Sequence, residues 1–175
     1  MELKEVNKRL NEFGKYVVQQ ARTRLSKSKK NNTKELYNSL YYWIEETEQG
    51  SKIRFEMEDY GMYQDLGVKG KNPSLVKNGK QKAPNSPFKY KTKMPPMKSL
   101  MGWAKKKNIR FRDSQGKYTR GNYQTIAFWL QKRIFAQGIK PSLFFTKPFE
   151  KAYKELPDML ANDFGIDFDK FLDRK

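Results

Sequence analysis

The 175 residues contain no cysteine and no histidine. Without cysteine there is no disulfide, no thiol nucleophile and no thiolate zinc site, and without histidine every triad built on an imidazole base is excluded as well. Long apolar runs are also missing: no window approaches the roughly 18 consecutive apolar residues of a membrane span. The opening "MELKEVNKRL" carries acids and no apolar core. Neither export nor membrane insertion is therefore expected, and synthesis in a cytoplasm is. What is abundant is aromatic residues, 14% of the chain, which argues against disorder although hydrophobic residues make up only 37%. The length suits one domain, 1–175, with a real core.

The formal charge of +18 is unevenly placed. Met1 to Asp65 holds 12 basic and 11 acidic residues, Leu66 to Phe149 holds 20 and 1, and Glu150 to Lys175 holds 5 and 7. The middle therefore carries the whole excess. A block this one-sided faces solvent or a polyanion, because buried unpaired lysines are costly.

Leu3, Val6, Leu10, Phe13, Val17, Ala21 and Leu25 recur at steps of three and four, which predicts a long amphipathic helix fading in "SKSKKNNT". Thr33 is a candidate cap for a short turn, "TKELYNSL". Ile53, Phe55 and Met57 then alternate with Arg54, Glu56 and Glu58, so "YYWIEETEQGSKIRFEME" reads as a β-hairpin turning at "EQGS". "EDYGMYQDLG" reads as a short helix begun by Asp59 and ended by Gly67. Residues 69–93 read as a long basic loop or arm, functional in itself or ordered by a partner. Two helices follow within a section, 94–137, the first opened by "PPMKSL" and the second stopped by Gly138. "IKPSLFFTKP" reads as extended. Phe149, Ala152, Tyr153, Leu156, Leu160 and Phe164 trace a final helix that Pro157 kinks or divides, and 165–175 reads as a tail. The fold class expected is α+β, with the N-terminal and C-terminal helices packed on a small antiparallel sheet.

Glu56, Glu58, Asp59 and Asp65, with Lys69 or Lys71 nearby, supply residue types found in magnesium-dependent nucleases. The plainer reading outweighs it: the glutamates lie on the polar face of a strand and Asp59 caps a helix. "GVKGKN" lacks the spacing of a phosphate loop. The basic segment, Lys69, Lys71, Lys77, Lys80, Lys82, Lys89, Lys91 and Lys93, is the stronger signal, since lysine-dense loops bind phosphate backbones without reading sequence. An acidic protein neighbour would serve it equally well. No catalytic residue, metal ligand or cofactor site is assigned.

The order of these features resembles the tail-completion or head–tail joining family of long-tailed bacteriophages, small α+β minor tail and neck proteins. The long first helix, the turn "TKELYNSL" and the hairpin after it match. So does a tyrosine-rich segment followed by a glycine-bearing loop, here Tyr60, Tyr63, Asp65, Gly67 and Gly70. A closing segment with Ile139, Pro141, Phe144 and Pro148 leads into the last helix, and the similarity runs from about Met1 to Leu160. The section 94–137 is longer than in compact relatives, and the loop before it is richer in lysine.

The resemblance implies a non-enzymatic virion protein, made in the host cytoplasm. It would form a closed ring, six copies being usual, between portal or connector and the tail tube or tail terminator, with DNA passing through. Candidate interface residues are Tyr60, Tyr63, Asp65, Gly67 and Gly70 with the basic arm on one side. Ile139, Pro141, Phe144, Phe145 and Pro148, with the hairpin edge, lie on the other. The alternative from composition is a nucleic-acid-binding protein of a mobile element.

Overall fold

The structure, a computed structural model, describes residues 3–28, 34–48, 50–119 and 122–163. The expected cap Thr33, Gln49 of the hairpin turn, Phe164 and the tail 165–175 lie outside the described residues. The class is α+β, as the sequence predicts. The chain divides into two compact units, one formed by Met1–Gly61 with Leu143–Lys175, the other by Met62–Ser142.

The first unit is built on α1 (Leu3–Lys27), whose buried stripe is Leu10, Phe13, Val17, Val18, Ala21 and Leu25. A short α2 (Glu35–Ser39) starts after Lys34, which takes a left-handed φ of 63°. Arg22 of α1 ties its end down, donating to the carbonyls of Tyr37 (3.1 Å) and Leu40 (2.7 Å), a cation completing the orphan acceptors of a helix C-terminus. The chain then extends into β1 (Tyr41–Thr47), which pairs antiparallel with β2 (Gly50–Glu56), Thr47 opposite Gly50.

Alternation gives this two-stranded sheet two unlike faces. Inward, Tyr42 opposes Phe55 and Ile44 opposes Ile53, and Phe55 sits edge-on to Phe13, Phe145 and Phe149 at 5.4–6.0 Å. Gly14 lets the ring of Tyr42 lie directly against α1. Outward, Tyr41 stacks on Trp43 at 5.5 Å, and Arg54 donates to Glu45 at 2.6 Å. The last helix, α6 (Thr146–Asp163), begins earlier than its apolar spacing predicts and passes through Pro157 without division. Phe144, just before it, is 1% exposed and closes the core with Leu25, Leu36 and Leu40.

The chain passes to the second unit within α3 (Tyr60–Leu66), which occupies the predicted place. Here β3 (Val68–Lys69) pairs antiparallel with β4 (Gly138–Ile139). Between them lie α4 (Met97–Lys106) and α5 (Tyr123–Gln137), which pack on each other. Asn122 caps α5 by accepting from the Gln124 N–H, and Gly138 ends it at φ 86°, as the sequence predicts.

Residues 69–93 do not project as an arm. They include a 3-10 turn, Pro73–Leu75, opened by Asn72 accepting from the Ser74 N–H. The segment folds back on itself and is bonded to α5 at two points. Lys69 N–H donates to Phe88 and Tyr90 N–H returns to Lys69; Lys71 N–H donates to Phe135 and Lys82 N–H to Gln137, at 2.8–3.0 Å. Gln81 and Gly70 exchange two further bonds of 2.7 and 3.1 Å. Composition suggests a solvated loop because lysine, glycine and proline form no apolar stripe. Backbone pairing, which composition does not reveal, supplies the order instead.

Candidate interaction surface

Two stretches far apart in sequence, residues 64–70 and 138–142, meet in the second unit. Gly67 sits at φ 73°, and a Cβ there would strike the Ile139 carbonyl and come within 2.8 Å of the Pro141 nitrogen. Gly138, at φ 86°, has the Val68 carbonyl and the Gly70 nitrogen in the same position. Only glycine supplies both the left-handed backbone and the room. Ser142 completes the junction, its N–H donating to the carbonyls of Gln64 and Asp65 at 3.1 and 3.0 Å. Its hydroxyl also reaches Gln64 at 2.7 Å.

This arrangement revises the candidate interface. Asp65 is 0% exposed, and Gly67, Gly70, Phe144 and Pro148 are buried, so these five are packing residues and offer no surface. Ile139 and Pro141 are half-buried parts of the junction, and Phe145 is half-buried among the rings of α6 and β2. Of the candidate interface residues, Tyr60 and Tyr63 do face solvent, at 41% and 47% exposure. Tyr63 stands edge-on to Phe88 at 4.6 Å. Partial burial, and then the charge of Glu35, raise the Tyr60 hydroxyl above its usual pKa.

Of the basic segment, Lys69 is half-buried, while Lys71, Lys77, Lys80, Lys82, Lys89, Lys91 and Lys93 are exposed. Lys71 places its ammonium over the Phe135 ring, 5.6 Å from the centroid. Lys82 is held below the usual lysine pKa, chiefly by desolvation and then by the neighbouring Arg133. Glu56, Glu58, Asp59 and Asp65 do not converge: Glu56 accepts from the Tyr41 hydroxyl at 2.5 Å. Among the described residues no group of three or more acidic side chains is placed to hold a metal ion. No described helix is long and apolar enough to cross a membrane.

The sequence shows "RFRDSQGKYTRGN" as a second basic loop but not that it joins exposed aromatic residues of α5. In "RFRDSQGKYTRGN" the described residues form a tight antiparallel turn, with Arg112 bridged to Tyr118 and Asp113 N–H donating to Lys117 at 2.9 Å. The Asp113 carboxylate accepts from the N–H groups of Gln115 and Lys117, both at 2.9 Å. Beside this turn, the outer side of α5 exposes Phe128 and Trp129 at 48% and 43%. The available signal was that α5 carries more aromatics than one buried stripe needs.

Compared with known proteins, the chain matches no family model, no curated protein and no solved structure.

Proposed function

We propose that this chain is a structural, non-enzymatic protein of a tailed bacteriophage, a ring-forming component that joins head to tail. The observation that carries the reading is the junction of Gly67, Gly138, Ile139, Pro141 and Ser142. The tyrosine–glycine segment and the isoleucine–proline segment, far apart in sequence, form one rigid piece in which side chains are excluded by contact. Those are two of the segments on which the resemblance to head–tail joining proteins rests, beside the first helix and the hairpin. A fixed junction of this kind suits a part whose task is to hold shape against neighbours.

A closed heterologous ring needs two different complementary patches on each subunit. Exposed aromatic residues, which interfaces favour, supply the candidates: Tyr60 and Tyr63 on α3, and the outer face of β1 with Tyr41 and Trp43. The partners would be further copies of this chain and the portal or connector and tail-tube or terminator proteins of the same virion.

The test is assembly. The purified chain, mixed with the head and tail neighbours of its own virion, is expected to form rings visible by electron microscopy and to co-elute with a neighbour. Replacing Tyr41 and Trp43 by alanine is expected to abolish association while the unfolding midpoint stays within the range of surface substitutions. A chain that never associates with itself or with those neighbours would overturn the reading. A free nucleic-acid-binding protein of a mobile element would then take its place, a reading favoured by the charge of the second unit.

A further inference from the structure

We infer that the outer strip of α5, with the turn formed by residues 111–119, is a binding surface for the phosphate backbone of duplex DNA, on which aromatic rings hold the cations in position. Residues 62–142 contain 19 lysines and arginines against two acids, Asp65 and Asp113, whereas the rest of the chain contains 18 against 17. Neither acid offsets that field at the surface freely. Asp65 is fully buried, and Asp113 is engaged by two backbone N–H groups of its own turn.

On α5, Phe128, Trp129, Lys132 and Arg133 stand at i, i+1, i+4 and i+5 and are all exposed, with the buried Ala127 on the far side of the helix and Ile126 and Phe135 bounding the strip. The Lys132 ammonium lies 4.4 Å from the centre of the Phe128 ring, and the Arg133 guanidinium 5.0 Å from that of Trp129. Phe111 meets Trp129 edge-on at 5.8 Å and so joins the turn to the helix. The next residue, Arg112, lies 4.4 Å over Tyr118 and donates to its hydroxyl at 2.8 Å.

A cation paired with a carboxylate is cancelled; a cation on a ring keeps its charge and loses only its freedom. Three cations fixed in this way have already lost rotamer entropy that a flexible lysine would lose on meeting a phosphate. Two of them are arginines, whose fork matches phosphate oxygens in pairs. A uniformly charged polymer fits this nearly acid-free face better than a protein, whose acids alternate with cations. The rings serve their cations, so the surface suits a duplex, whose bases are stacked away; that choice of duplex rests also on the reading of a part through which DNA passes.

The experiment uses the full chain, alone, with a short labelled duplex and fluorescence anisotropy at about 50 and about 200 mM salt. Binding is expected to weaken steeply with salt, and K132Q/R133Q to reduce the log–log slope by about 2. F128L/W129L, which changes no charge, is expected to weaken duplex binding roughly fivefold at an unaltered slope. F128L alone, at the more exposed ring, gives a smaller loss in the same direction should the double variant lose its helical circular dichroism. K77Q/K80Q removes equal charge from the lysine-rich segment and is expected to cost less affinity than K132Q/R133Q.

Equal losses from the two charge pairs, or no loss from the ring variants, would overturn the inference. So would tighter binding of a single strand that disappears with the rings, or capture of an acidic virion protein with no duplex binding. Failure here leaves ring assembly intact, and failure to assemble leaves duplex binding intact, so the two readings fall separately.

Discussion

Gly67 and Gly138 face carbonyl oxygens from opposite strands of the same short ladder, and each adopts a backbone conformation in the left-handed region. Added side chains would meet backbone rather than a movable side-chain tip. Gly67→Ala and Gly138→Ala are each expected to destabilise the protein by about 2–3 kcal/mol. Gly102, inside α4 with nothing within 4 Å of its would-be Cβ, is the opposite case, and Gly102→Ala is expected to stabilise by about 0.5–1 kcal/mol. Urea melts of the three variants check the contrast, and equal effects would remove the junction argument. At this scale Gly67 was legible as a helix stop, whereas Gly70 read only as part of a basic loop or arm. The crowding of Gly70 against Ala136 and Gln137 is a contact across 66 residues of chain, which no local pattern encodes.

The β1–β2 hairpin was legible because alternation is a local property of strands, and α1 was legible because its apolar stripe repeats every three or four residues. Phe55 shows what joins them: one ring touching Phe13 of α1, Tyr42 of β1, and Phe145 and Phe149 at the start of α6. Phe55→Ala is expected to cost about 3 kcal/mol, because neighbours from three elements cannot all close the cavity. Leu75→Ala, at 73% exposure, is expected to change stability by less than about 0.5 kcal/mol. Unfolding by urea followed by circular dichroism distinguishes them. The early start of α6 was hidden because "IKPSLFFTKP", with two prolines and no periodic face, looks extended. Pro148 fits near the helix start, where its missing N–H costs nothing.

Across the molecule, charge separates the two units more sharply than any sequence boundary does. The excess of 17 positive charges on residues 62–142, from 19 against 2, repels itself, and dissolved salt screens that repulsion. Raising ionic strength from about 0.02 to about 0.2 M is therefore expected to raise the melting temperature of this unit. A Trp43→Phe variant leaves Trp103 and Trp129 as reporters there. A midpoint that stays constant or falls with salt would show that the repulsion is already relieved within the fold.

Composition alone determined the exclusions, the charge and its location, and local periodicity determined the class and most of the helices, because each depends on residue type or short-range spacing. Tertiary structure decided the rest. It turned a nominal arm into a pinned segment, withdrew Asp65 and Phe144 from any surface, and set Phe111 against Trp129 so that the turn is joined to α5. Those outcomes depend on backbone partners and side-chain neighbours distant along the chain, where no spacing rule reaches.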